Sequence, residues 1–242
     1  MKIIHIENIE STNSYAKQLI RSTPDEPLLI VAQQQSGGKG QYGRIFSSPR
    51  GGLYFTILFQ PLLQTKHLPL ITLATGVACA SCLAAETELQ IALKWPNDIY
   101  VAGKKLGGIL CESEVIDSTQ PAYVIIGAGL NINTTLVDYP PELHSIVTTV
   151  REHTQLTYHL ESLLQKIVAQ IIDNIRTLSS ESQIVLDHWQ HYDYLYQRPV
   201  EYVTDNQVIR GTGDGIAESG CYKVIDTQGA LHQIVGGQLR PL

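Results

Sequence analysis

The sequence predicts an α+β protein that ends in a small β-barrel, and three observations lead there. Short apolar runs alternate at period two between clusters of Gly, Pro, Asn and Asp, as strands and turns do. Between residues 160 and 178 the apolar positions are 160, 163, 164, 167, 168, 171, 172, 175 and 178, which form one stripe on a helix. Beyond Arg198 and Pro199 the chain turns into short strand-like runs broken by Gly213, Gly215, Gly220, Gly229, Gly236 and Gly237, spaced as in a small barrel. A domain boundary near residue 196 follows, giving units at 1–195 and 196–242.

The elements read in order. The opening KIIHIE alternates as a strand, and Glu10, Ser11, Thr12 and Asn13 can cap a helix over SYAKQLIR. Residues 28–32 form a short buried strand. Residues 33–52 hold six glycines and almost no apolar side chains, the composition of a long functional loop. A strand over 53–59, a helix over 67–89 and a strand over 91–94 lead into the turn Trp95, Pro96, Asn97, Asp98. Residues 99–101 and 104–114 pair as a hairpin around Gly103, and 123–131 is another strand. After the helix of residues 160–178 a second helix is expected to run to Tyr194.

Bulk properties narrow the function. A chain of 242 residues, 43% hydrophobic, can bury a large core. Its net charge of −6 argues against a nucleic-acid partner held by overall electrostatics. No signal-like segment opens the chain and no run of about 18 apolar residues is read from it, so a soluble, cytoplasmic protein without a membrane partner is expected. Cys79 and Cys82 form a C-x-x-C inside an Ala/Leu-rich helical stretch with no second ligand pair. They read as core, and the dispersed histidines give no zinc motif.

Two segments carry chemistry. The loop at 33–52 brings Lys39 and Arg44 among glycines whose amides can approach an anion, although it matches neither GxxxxGK[ST] nor GxGxxG. In ALKWPNDIYVAGKKLGGILCE, Asn97 and Asp98 on one strand can face Lys104 or Lys105 on the return strand. Gly107 and Gly108 leave space there for a ligand.

Taken together, these segments resemble the biotin protein ligase family. The resemblance rests on STN at 11–13, Q-x-x-GKG-x-x-GR at 35–44, KWPND followed by KLGGIL at 94–110, GAGLNIN at 127–133, and RPV ahead of a glycine-punctuated tail. It implies a mixed-sheet catalytic domain related to class II synthetases and lipoate ligases, followed by an SH3-like C-terminal domain. It also implies a single-function form, since many members carry an N-terminal DNA-binding domain and this sequence starts at the catalytic one.

The activity implied is adenylation of biotin by ATP, then transfer of biotin to a lysine of the biotin carboxyl carrier domain of a carboxylase. The resemblance assigns Ser11, Thr12, Asn13 and Gln35 to the biotin ring, where groups that both donate and accept suit a neutral ureido ring. Gly38, Lys39, Gly40 and Gln41 would close over the biotin carboxylate and the α-phosphate, with Gly108 beneath. Lys105 would bridge those two anions, and Arg44 would manage the triphosphate. Asn97, Asn131 and Trp189 are assigned to ATP, Trp189 against the adenine, and Asp98 to Mg²⁺. A homodimer is also within the family's range. The rival readings are a lipoate or octanoate ligase, which shares the fold, and a non-catalytic biotin-binding adaptor, against which Lys105, Asp98 and Arg44 argue.

Overall fold

The computed structural model describes residues 1–20, 26–61, 63–115, 122–204 and 208–242. The first unit is built on a seven-stranded sheet in the order β1-β2-β3-β7-β6-β5-β4. Its strands are β1 (Lys2–Ile9), β2 (Leu28–Gln35), β3 (Leu53–Phe59), β4 (Ile91–Lys94), β5 (Asp98–Val101), β6 (Lys104–Glu114) and β7 (Tyr123–Leu130). β1 and β2 pair in parallel and every other neighbour is antiparallel, so the sheet is mixed. β2 continues through Gln35, so the first three residues expected in the loop are strand. This carries Gln35 to the strand's end, in register with Ile9.

The central strands are apolar on both faces because helices cover both. α1 (Thr12–Leu19) lies on one side, where Ala16 and Ile20 pack with Leu28, Ile30, Leu58 and Ile125. Arg21, the last residue of the expected helix, lies outside the described residues. On the other side α2 (Leu70–Thr87), α4 (Leu160–Ser180) and α5 (Ser182–His191) cover the alternate residues, among them Leu29, Phe55, Ile57, Ile109 and Ile126. The stripe expected on α4 is the face that is buried, through Leu163, Leu164, Ile167, Val168, Ile171, Ile175 and Leu178. A short α3 (Val150–Thr154) precedes it, capped by Thr149.

α2 is long and apolar enough to cross a membrane, which the sequence reading overlooked, but 67% of it is buried inside the fold. It is tied to α4 by Asn174 Nδ2, which donates to Ala74 O at 2.9 Å. Cys79 is buried on this helix, as expected of a core residue, and burial pushes its thiol pKa up.

The C-terminal unit is a five-stranded antiparallel sheet of β8 (Pro199–Val203), β9 (Val208–Ile216), β10 (Tyr222–Asp226), β11 (Leu231–Ile234) and β12 (Gln238–Pro241), in the order β11-β10-β9-β8-β12. Side chains of the first unit fasten it near its β10 end. Trp95 Nε1 donates to Gly220 O at 3.0 Å, and the Tyr222 hydroxyl donates to the Asp193 carboxylate at 2.8 Å.

Candidate active site

The parallel pair sends two segments to the same edge of the sheet. β1 runs into Ser11, Thr12 and Asn13, and β2 ends at Gln35. Ser11 caps α1, its Oγ accepting from Ser14 N at 3.3 Å. Gln35 Oε1 accepts from Thr12 N at 2.8 Å and from the Thr12 hydroxyl at 3.1 Å, while its Nε2 donates to Ser48 Oγ at 2.9 Å. Beneath them Thr56 Oγ1 on β3 lies 2.8 Å from Thr12 Oγ1 and 2.7 Å from Asn13 Oδ1. Asn13 Nδ2 reaches Leu110 O and Glu112 Oε2, both at 3.1 Å. That position is open because residue 127 is glycine: a Cβ there would sit 2.1 Å from Asn13 Oδ1.

The hairpin of β5 and β6 supplies the charges. Asp98 is opposite Gly108 and Ile99 opposite Gly107, but Tyr100 is opposite Lys105, so the strand bulges at Leu106. A bulge turns the following side chains to the other face. Here it brings Lys105 to the face of Asp98, with Nζ 2.5 Å from Oδ1. The alternative left open by the sequence is thereby resolved, because Lys104 Nζ instead donates to His144 O. Gly108 makes the room, since a Cβ there would lie 3.3 Å from Lys105 Cε and Nζ. The bulge's backbone is satisfied by Ile146 O and Thr148 N, each at 2.8 Å. Asn97 Nδ2 holds Ile109 O at 2.7 Å and so fixes the turn to β6.

The glycine-rich loop folds back as a small hairpin. Phe46 N donates to Gly38 O at 2.8 Å, Gly40 N to Arg44 O at 2.7 Å, and Lys39 bridges to Ile45. Gly38 cannot carry a side chain, because its Cβ would meet Phe46 O at 2.4 Å. Phe46 packs at the base, its ring over glycine 129 and 5.8 Å from Lys105 Nζ.

Between these parts is a cavity of about 150 Å³. It is lined by Ser11, Thr12, Asn13, Gln35, Lys39, Gly40, Gln41, Arg44, Asn97, Asp98, Lys105 and Gly108, together with Phe46 and the glycine edge of β7. Three cations therefore face one carboxylate. Lys94, opposite Asp98 on β4, adds to the field. Burial holds its ammonium pKa below the usual lysine value. Asp98 opposes that shift, while Lys105, Arg240 and Arg44 reinforce it.

Three expected residues stand apart from the lining. Gly38 shapes the loop without reaching the cavity. Asn131 is buried, its Nδ2 on Thr148 O at 3.0 Å and its Oδ1 without a partner. Trp189 is not brought to the cleft: it is 1% exposed, in the core, with Tyr222 edge-on at 6.4 Å. The resemblance places this tryptophan against the adenine, and here its helix turns the ring into the core. Residues the sequence reading missed are Thr56, Phe46, Lys94 and Arg240. Two of them carry a signal in the sequence: Lys94 opens the KWPND motif, and Thr56 is the lone polar residue inside LYFTILF.

These features define a class: an enzyme of mixed α/β architecture whose cleft receives a small molecule on a polar floor and meets anions with a cationic rim. The model of the biotin/lipoate A/B protein ligase family matches residues 5–131, just over half of the chain, and the chain belongs to that family.

Relatives match over most of the chain. The bifunctional ligase/repressor BirA of Bacillus spizizenii is 27% identical over 98% of this chain and 73% of its own length. The biotin–[acetyl-CoA-carboxylase] ligase of Mycobacterium tuberculosis is 26% identical over 87% of this chain and 74% of its own. Among solved structures, the biotin protein ligase of Aquifex aeolicus in complex with biotin and ATP superposes with a TM-score of 0.87 at 26% identity. That match covers 100% of this chain and 99% of that one.

Proposed function

We infer that this chain is an ATP-dependent biotin protein ligase, which joins biotin to a carrier protein. The observation that supports it most is the single cleft in which the Asp98–Lys105 pair faces the loop cations across the polar floor of Thr12 and Gln35. The fold it sits on matches that of a ligase holding biotin and ATP.

The chemistry is two substitutions. A biotin carboxylate oxygen attacks the α-phosphorus of ATP, the bond to the β-phosphate's bridging oxygen breaks, and pyrophosphate leaves. The neutral amine of a carrier lysine then attacks the acyl carbon, the C–O bond to AMP breaks, and the amine's proton goes to solvent. Both steps are served by positioning and charge compensation. We propose that Ser11, Thr12 and Gln35 receive the ureido ring. Asn13, whose amide is occupied by β6 and Thr56, holds the floor under it. Lys105 sits where the two reacting anions converge, with Lys39, Gly40 and Gln41 closing over them and Arg44 and Asn97 toward the polyphosphate.

Mg²⁺ fits this site as a companion of the nucleotide. Among the described residues no group of three or more acidic, His or Cys side chains could hold an ion alone. Asp98 would contribute one carboxylate and the phosphates the rest, the usual arrangement for this ion. It would offset phosphate charge. The carrier is proposed to be the biotin carboxyl carrier domain of a carboxylase, and the C-terminal sheet an SH3-like barrel.

ATP/pyrophosphate exchange measured with biotin and with lipoate tests the reading. Exchange with biotin is expected. Exchange with lipoate alone would move the chain to the other branch of its family, and exchange with neither would overturn the assignment.

A further inference from the structure

We propose that Tyr42 is a positioning residue, through which the C-terminal sheet holds the glycine-rich loop across the cleft. Tyr42 is at the tip of the loop hairpin, between Gln41 and Arg44, which both line the cavity. Tyr42 itself is not part of the cavity lining and is 70% exposed. Its φ is +56°, a left-handed conformation that side-chain-bearing residues adopt at an energetic cost and that persists where surrounding contacts hold it.

The contact that holds it comes from the other sheet, 195 residues away: Gly237 N donates to the Tyr42 hydroxyl at 3.0 Å. That donor is itself fixed. Gly237 has φ +108°, and a Cβ there would meet the Tyr202 ring at 2.8 Å. The Tyr202 hydroxyl donates to Gly236 O at 2.8 Å, and Tyr202 is buried in the core. A rigid series thus runs from the core through Tyr202 and the turn at residues 236–237 to Tyr42 and the loop.

The loop's two ends have different anchors. Its base is wedged by Phe46 against the sheet, and its tip is tied to the C-terminal unit. Without the hydroxyl, the segment carrying Lys39, Gln41 and Arg44 loses this tie at its tip and keeps the anchor at its base. The catalytic consequence rests on the ligase reading above. The clamp itself does not.

Tyr42→Phe removes one oxygen. Hydrogen exchange at the Gly237 amide, followed by NMR on the full chain without ligand, is expected to quicken about fivefold, as is tryptic cleavage after Lys39 and Arg44. The melting temperature should stay unchanged. Exchange and cleavage at wild-type rates would overturn the clamp. Tyr42→Gly relieves the left-handed strain and lacks the hydroxyl. It should resemble Tyr42→Phe, and wild-type protection in it would mean that backbone strain governs the loop and the clamp is wrong.

With biotinyl-5′-AMP bound, Tyr42→Phe is expected to release it several-fold faster while the rate of its formation changes little. A faster cleavage in the free protein with no adenylate binding at all would leave the clamp standing and count against the ligase reading.

Discussion

At the scale of single residues, most of the proposed chemistry rests on Lys105. It is about one quarter exposed and paired with a similarly placed Asp98, so its contribution to stability is small, about 1 kcal/mol or less. Its contribution to adenylation is expected to be much larger. Lys105→Ala should slow pyrophosphate release by about 10²–10³ in stopped flow, with a nearly unchanged melting curve. Gln41 lines the cavity between Lys39 and Arg44 with a neutral amide. A neutral amide grips carboxylate and phosphate less firmly than a guanidinium fork. Gln41→Arg is accordingly expected to lengthen the residence of labelled biotinyl-5′-AMP several-fold, and an equal or shorter residence would refute this account of the loop. Thr56 acts from below. Thr56→Val keeps the shape but leaves Asn13 Oδ1 and Thr12 Oγ1 short of a partner, a loss of about 1–3 kcal/mol in denaturant unfolding. The KM for biotin should rise more than kcat falls, because the floor is disturbed and the charged rim is not.

At the scale of elements, what was legible in the sequence was whatever is local in the chain. The turn at 95–98, the return strand with Gly107 and Gly108 and the cap at Ser11 each signal themselves within a few residues, because turn chemistry and alternation are local properties. α4 was legible for the same reason. The bulge at Leu106 was not, since a bulge is a relation between two strands, and without it the choice between Lys104 and Lys105 stayed open. Lys94 is four residues from Asp98 in the KWPND motif, but Arg240 enters the site's field from β12, which no spacing connects to it. Trp189 shows the limit of resemblance: a matching residue type does not fix which way a ring points, and α5 turns this one toward Tyr222. The end of β2 was placed three residues early because Gln33, Gln34 and Gln35 are polar. Parallel pairing to β1 extends the strand over them.

At the scale of the whole molecule, the joint between the two sheets carries a half-buried acid. Asp193 follows α5 and accepts from Leu195 N and the Tyr222 hydroxyl, both at 2.8 Å. Burial raises its pKa to about 6, against the hydrogen bonds and Arg198, which lower it. A carboxyl whose folded value is raised gives stability that is complete below its unfolded value, near 3.8, and is lost as pH rises through about 6. Asp193→Asn mimics the protonated form. Its melting temperature relative to wild type should therefore move in the variant's favour between pH 5 and pH 7.5, and a difference independent of pH would show that the carboxyl's ionisation does not load this joint.

The parallel ladder of β1 and β2 has a further consequence. Ile9 lies opposite Gln35, and Thr12 follows three residues later, so the spacing between the two halves of the polar floor is measured out by strand register. A slip of two residues would leave every apolar side chain on its own face and the core chemically content. It would nevertheless carry Gln35 about 7 Å along the strand from Thr12. The ladder is thus a ruler as well as a scaffold, and a chain with the same hydrophobic pattern but the wrong graduation would fold around a cleft whose two halves no longer meet.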